Sequence, residues 1–390
     1  VDDETAEPAG ADPETSGDPA LVEPATDPEP GSDPAPGDVP PGRRHRRRRW
    51  VSWAAIGVAV LLVVLGGGAA VYAWRLNSNL DRFGDPFAAL PNRPAAATPD
   101  PSADAAASER TAMNVLVLGS DSRISAGDPS SWEAGAQRTD TIMLVHLPAA
   151  GGAAYVMSIP RDSWVPIPGH GTAKINAAYS YGGPALLIET VEALSNVRID
   201  HFALTDFESF STLTDTLGGV DLTLKEDLYS RKGHELLVPA GDRTLNGEQA
   251  LIWVRERYSL TRGDFDRVQR QQAWLRAIME KVSKQGILDD PSRTLAFLDD
   301  ASKAVSVDDG VTLGVLKDLA NRMRGVHGKA VHFLTVPIAG TGRSPDGKQS
   351  IVNLSRPAFD HLMEAVAADQ VDQYLAANPK AVDQLGSVAP

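Results

Sequence analysis

Twenty-five consecutive residues without a charge, 50–74, follow directly on the basic run Arg43, Arg44, Arg46, Arg47, Arg48 and Arg49. As a helix that stretch would be roughly 37 Å long, against a bilayer hydrocarbon core of about 30 Å. Trp50 and Trp53 mark one end and Tyr72 and Trp74 the other, where membrane-interface aromatics belong. Six Arg precede the run and Arg75 and Arg82 follow it, so the positive-inside rule predicts a cytoplasmic N-terminus and an extracytoplasmic C-terminal part. A cleaved leader carries a shorter apolar run, of about 7–15 residues. The reading is therefore a single retained transmembrane helix over residues 50–74, with residues 43–49 as its basic flank.

The charge divides along the same boundary. Residues 1–42 hold twelve Asp or Glu, no Lys or Arg and ten Pro, a composition that predicts a disordered acidic cytoplasmic tail. That tail supplies −12 of the net charge of −14, and residues 94–390 carry −9. An acidic balance argues against a nucleic-acid partner. The tail's own cytoplasmic partner is not legible. Residues 75–108, rich in Pro, Ala and Ser from 84 onward, predict an extracytoplasmic stalk. Residues 109–370 predict one folded domain and 371–390 a C-terminal tail. The absence of Cys excludes thiol catalysis, thiolate zinc sites and disulfides.

Within the domain, strands and helices alternate. Apolar runs predict strands over residues 114–118, 141–147 and 154–159, the last two as a hairpin, with further strands at 220–224 and 330–336. Helical spacing predicts helices over 183–195, 205–217 and 264–284, and Asn246 predicts an N-cap for a helix reaching Val254. The class is α/β, with helices covering a mixed sheet.

If neighbouring strands run antiparallel, Asp121, Arg138, Asp140, Arg161 and Asp162 converge on one sheet edge. Carboxylates together with phosphate oxygens are the usual Mg²⁺ ligands, and Arg forks match phosphate bidentately. Ordinary turn charges in structural ion pairs are the competing reading. A second cluster comprises Arg255, Arg257, Arg262, Arg267 and Arg270 with Gln271. Arg267 and Gln271 are four apart and share a helix face, whereas Arg270 reads as a solvated position. Arg255 and Arg257 cannot share a helix face, so either one of them is structural or the helix ends there. Residues 342–349 approach a phosphate-binding loop but lack the Ser/Thr after Lys348 and contain Pro345; they read as a plain loop. Ser120, Ser122 and Ser158 have no evident His partner.

Seven segments in order, GSDSR (119–123), QRTDTIML (137–144), SIPRDSWV (158–165), KINAAYSYGG (174–183), LGGVDLTL (217–224), LNGEQALIWVRER (245–257) and GDFDRVQRQQ (263–272), resemble the LytR-CpsA-Psr family, its actinobacterial members in particular. The resemblance implies a three-layer α/β/α sandwich around a mixed sheet, with a long apolar pocket for a polyprenyl chain. It implies a phosphotransferase that moves a glycopolymer from a polyprenyl-pyrophosphate carrier to peptidoglycan at the cell membrane. By motif position, Asp121 and Asp140 resemble the acids that bind Mg²⁺, with Mn²⁺ as the alternative ion. Arg138, Arg161, Arg255, Arg257, Arg267 and Gln271 resemble the pyrophosphate clamp, and Asp140 with Arg161 the catalytic pair. Ser163, Trp164 and Val165 stand where many members carry a further basic residue. A polyprenyl-pyrophosphate hydrolase and a non-catalytic envelope regulator or scaffold remain alternatives at this point.

Overall fold

Eight strands pair into one mixed sheet: β1 (Asp81–Arg82), β2 (Met113–Ser120), β3 (Thr139–Leu147), β4 (Ala154–Ser158), β5 (His201–Asp206), β6 (Val305–Val307), β7 (Val331–Thr335) and β8 (Asp383–Gln384). Their spatial order is β1-β6-β5-β2-β3-β4-β7-β8. The helices are α1 (Asn176–Ser195), α2 (Phe207–Thr216), α3 (Gly247–Arg255), α4 (Asp264–Lys284), α5 (Pro291–Lys303), α6 (Leu313–Met323), α7 (Arg356–Ala367) and α8 (Val371–Ala377). The computed structural model describes residues 72, 74–96, 110–120, 139–230, 235–256, 260, 262–287, 290–323, 326, 330–386 and 388. The acidic tail, the basic flank and all of the predicted span except Tyr72 and Trp74 lie outside the described residues. Among the described residues no helix is long and apolar enough to cross a membrane.

Strand alternation divides the core. Leu116, Leu118, Ile142, Leu144, Tyr155 and Met157 turn to one face, where Leu187 and Val191 of α1 and Phe359 and Leu362 of α7 cover them. Val117, Met143, Val145, Val156 and Phe333 turn to the other, against Leu275 and Met279 of α4 and Leu319 and Met323 of α6. Such two-sided burial explains why the central strands read as unbroken apolar runs. A separate cluster joins α2, α3 and α4 to the hairpin Val220–Leu224/Gly241–Leu245. At its centre Trp274 donates from Nε1 to Thr214 Oγ1 (2.9 Å) and meets Phe210 edge-on, with ring centroids 4.4 Å apart.

Several expectations need correction. The helix read over 205–217 begins only at Phe207, because residues 201–206 form β5, with Phe202 and Leu204 buried on alternate positions. Asp206 ends that strand and caps α2, accepting from Ser209 N and Ser209 Oγ at 2.7 Å each. The stalk is partly built into the fold. Asp81 and Arg82 pair with Ser306 and Val307, and Phe83 is buried edge-on to Phe202. Arg93 reaches the buried Glu192 at 2.8 Å. An apolar segment followed by a cation with a buried acid to meet is held down whatever its Pro content. Residues 371–390, read as a tail, contribute α8 and the edge strand β8.

Two expectations hold. Asn246 caps α3 in a reciprocal box with Gln249. Of the loop read over 342–349, residues 344–349 form the turn of the hairpin Ile338–Arg343/Ser350–Leu354, closed by Ser344 N donating to Gln349 O (2.9 Å), while Gly342 and Arg343 end its first strand.

A buried polar bridge ties α7's exit to the sheet. His146, fully buried on β3, faces Asn114 Oδ1 at 2.8 Å and Asp369 Oδ1 at 2.9 Å. Asp369 also accepts from Ala149 N (2.9 Å) and holds a left-handed φ of 55°. Asp369→Ala strips these acceptors and is expected to lower stability by about 1–3 kcal/mol, read as a reduced midpoint in urea unfolding.

Candidate functional site

Strand directions determine where chemistry collects. β3 runs antiparallel to both β2 and β4, β5 runs parallel to β2, and β7 parallel to β4. Ser120 therefore faces Thr139 on one side and Asp206 on the other, while Ser158 faces Thr335. The C-terminal ends of β2, β4, β5 and β7 and the start of β3 share one edge, the edge at which open α/β sheets hold ligands.

Asp140 and Arg161 meet there. Arg161 Nη1 forms an ion pair with Asp140 Oδ1, and the two side chains are 16% and 17% exposed, accessible yet largely shielded from water. Arg161 Nε lies 4.0 Å from Asp162 Oδ1, which Lys174 Nζ approaches to 3.0 Å. The backbone carrying this group is pinned on every side. Pro160 stops β4, and Ser163 N turns back to Pro160 O (2.9 Å). Arg161 O accepts from Asn176 N (3.2 Å), Asp162 O from Val352 N (2.9 Å) and Ser163 O from Ile175 N (2.8 Å). The backbone positions from which Arg161 and Asp162 project are thus set by the fold.

Lys174 was missed by sequence reasoning. It ends the hairpin Trp164–Ile167/Gly171–Lys174, in register with Trp164. The motif beginning at Lys174 was the available signal, but only the hairpin carries its ammonium back to the segment after β4. A cation is present at this end of the site, although none follows Asp162 directly in the sequence.

Asp121, Arg138 and Arg257 lie outside the described residues, although Ser120 and Thr139, which adjoin the first two, face each other in register. α3 ends at Arg255, the second of the two readings the sequence left open, and Arg255 sits in its last turn, half-buried. Arg267 and Gln271 are buried at 4% and 6% on α4, the helix that Gln272 docks to the site edge. Gln272 Nε2 donates to Ser158 Oγ and to Leu334 O, both at 2.8 Å. Arg270 is not the solvated position its sequence neighbours suggested. It is 4% exposed, lies over the Trp253 ring and donates from Nη1 to Trp253 O (3.2 Å). Burial pushes its guanidinium down to about 10. Asp266 on the same helix is buried and paired with Arg262 Nε at 2.7 Å.

The donor chemistry suits a hard cation completed by substrate. Among the described residues no three acids or histidines are grouped to hold a metal ion by themselves. Asp140 offers a carboxylate beside cations that suit phosphate. Mg²⁺ is commonly held by one or two carboxylates plus phosphate oxygens, so the residues fit that mode.

A model of the LytR_cpsA_psr family matches residues 91–367. The chain is 38% identical over 232 residues to the Probable cell wall biosynthesis protein LcpB of Corynebacterium glutamicum, a match covering 58% of this chain and 54% of that one. It is 31% identical over 249 residues to the polyisoprenyl-teichoic acid–peptidoglycan teichoic acid transferase TagT of Bacillus subtilis, covering 61% and 73%. The solved structure of TagT bound to LI-WTA is similar with a TM-score of 0.53 and 25% identity, over 72% of this chain and 98% of that one. The chain spans about half the length of the corynebacterial relatives it matches.

Proposed function

The chain belongs to the LytR_cpsA_psr family, and on that premise we propose that it is a membrane-anchored phosphotransferase that moves a glycopolymer from a polyprenyl-pyrophosphate carrier to peptidoglycan. The observation that carries this reading is the Asp140–Arg161 pair at the sheet edge, with Lys174 beside it. Support also comes from the similarity to TagT, whose name states transfer of a polyisoprenyl-linked teichoic acid to peptidoglycan.

In the proposed reaction a hydroxyl oxygen of the acceptor glycan attacks the phosphorus that bears the glycopolymer. The bond from that phosphorus to the bridging oxygen breaks, and polyprenyl phosphate leaves with the electron pair. Asp140 orients the hydroxyl and takes its proton. Arg161 and Lys174 meet the charge that gathers on the leaving phosphate, the main demand in phosphoryl transfer. Arg255, Arg267 and Gln271, with Arg138 and Arg257, complete the pyrophosphate clamp in this reading. Asp140 with Asp121 would hold Mg²⁺, which neutralises phosphate charge when bound. The anchor over residues 50–74 keeps the domain at the extracytoplasmic membrane face, beside its lipid-linked donor.

The test uses the full chain in detergent micelles with a polyprenyl pyrophosphate and Mg²⁺. Release of phosphate that stops on chelation and resumes with added Mg²⁺ is expected. Supplying peptidoglycan together with a glycopolymer-bearing donor is expected to yield a phosphodiester-linked polymer. Phosphate release with no such linkage would replace transfer by hydrolysis, and no metal-dependent turnover at all would leave a binding protein.

A further inference from the structure

We infer that the groove beside Trp164 is the subsite that holds the acceptor glycan strand. This rests on the proposed transfer to peptidoglycan and names where its second substrate lies. The groove has a volume of about 490 Å³ and is walled by Trp164, Pro166, Leu194, Asn353, Leu354 and Arg356. It is not used by the phosphate chemistry above, yet it grows out of the same backbone.

Continuity with the site is the first argument. Trp164 is three residues beyond Arg161, so their Cα atoms are at most about 11 Å apart. It also pairs in register with Lys174. The opposite wall, Ser350–Leu354, is tied to the catalytic segment by Val352 N donating to Asp162 O (2.9 Å) and by a bridge between Ser163 and Val352. Trp164 therefore stands on the short backbone run that carries Arg161 and in register with Lys174, and it shares the groove with Leu194 and Arg356.

Chemistry is the second argument. Val165 and Ile167 are 1% and 2% exposed, so alternation turns Trp164 and Pro166 outward. An indole face suits the apolar C–H face of a pyranose, and a few fixed polar groups supply orientation. The exposed Asn353 amide offers a donor and an acceptor for ring hydroxyls and acetamido groups. Arg356 pairs with Asp360 Oδ1 at 2.8 Å and donates to Leu194 O at 3.3 Å, which orients its fork and offsets part of its charge. It is the charged residue of this wall. A polymer of repeating phosphates would meet a single cation, already paired, along such a groove, whereas a glycan backbone of hydroxyls and amides finds what it needs. This favours the acceptor glycan over a phosphate-rich polymer.

Binding is measured by calorimetry on the full chain in detergent micelles. The probe is a tetrasaccharide of alternating N-acetylglucosamine and N-acetylmuramic acid. Trp164→Ala and Asn353→Ala are each expected to weaken the tetrasaccharide about tenfold, equivalent to about 1.4 kcal/mol, and Trp164→Phe to stay within about threefold of wild type. Asn353 is exposed, so its variant keeps the test valid if Trp164→Ala fails to fold. No binding by wild type, or unchanged binding in both alanine variants, overturns the assignment. So does a Trp164-dependent preference for a glycerol-phosphate oligomer over the tetrasaccharide. A short polyprenyl pyrophosphate is titrated in parallel. An equal loss for both ligands in Asn353→Ala as well as Trp164→Ala also overturns the assignment. Trp164-dependent glycan binding in a chain that never cleaves the pyrophosphate would uphold the groove and refute the transfer reaction instead.

Discussion

Arg161→Ala is expected to slow release of polyprenyl phosphate by about 10²–10³-fold, the cost of losing a preorganised group that meets transition-state charge. The argument is electrostatic. Asp140, Arg161, Asp162 and Lys174 bring two charges of each sign to one edge. Removing Arg161 leaves two carboxylates against one ammonium where the proposed substrate, a doubly charged pyrophosphate, would bind. Arg161→Lys restores the balance of charge but replaces a planar fork by a point charge, so an intermediate rate is expected. The loss is expected chiefly in kcat. It is measured by initial rates at saturating donor, with circular dichroism and thermal melting checking the fold. A rate in Arg161→Ala within about threefold of wild type would remove Arg161 from the reaction.

Trp274→Ala is expected to reduce the free energy of unfolding by about 3–5 kcal/mol, the usual cost of deleting a buried Trp side chain. Trp274 is 1% exposed, stacks edge-on with Phe210 and donates its only N–H to Thr214 Oγ1. Truncation opens a cavity between α2 and α4 and leaves a hydroxyl acceptor unmet. Because α4 also carries Arg267, Gln271 and the Gln272 strut to Ser158, the cavity loosens the helix that braces the site. Guanidinium unfolding should show a lower midpoint with an unchanged slope. The specific activity of the folded fraction should fall much less than in Arg161→Ala. That contrast separates a residue that builds the site from one that acts in it.

The central strands were legible because burial on both faces makes them apolar throughout, and no local feature competes with that pattern. The strand over His201–Asp206 was not, because its alternation runs into the helix-capping signal of Asp206 within six residues. Arg270 was misread for a related reason. Charged residues on a helix ordinarily face solvent, and nothing local announces the Trp253 ring and carbonyl that receive its guanidinium. The stalk illustrates the same limit. Its Pro and Ala content predicted a spacer, yet Phe83 and Arg93 each have a buried partner distant in sequence, Phe202 and Glu192.

The sequence by itself determined the α/β class, the β3–β4 hairpin, the capped end of α3 and the ordered motifs that identify the family. These follow from period, capping chemistry and residue order, all carried by neighbours along the chain. Only the tertiary structure decided that Lys174 joins Asp162 and Arg161, that Arg270 lies inside, and that Trp164 walls a groove with Asn353 and Arg356. Each of these depends on segments far apart in sequence being brought together by strand register and helix packing. Local propensity does not encode that distance, and the buried contacts that set it are made only once the whole sheet has formed.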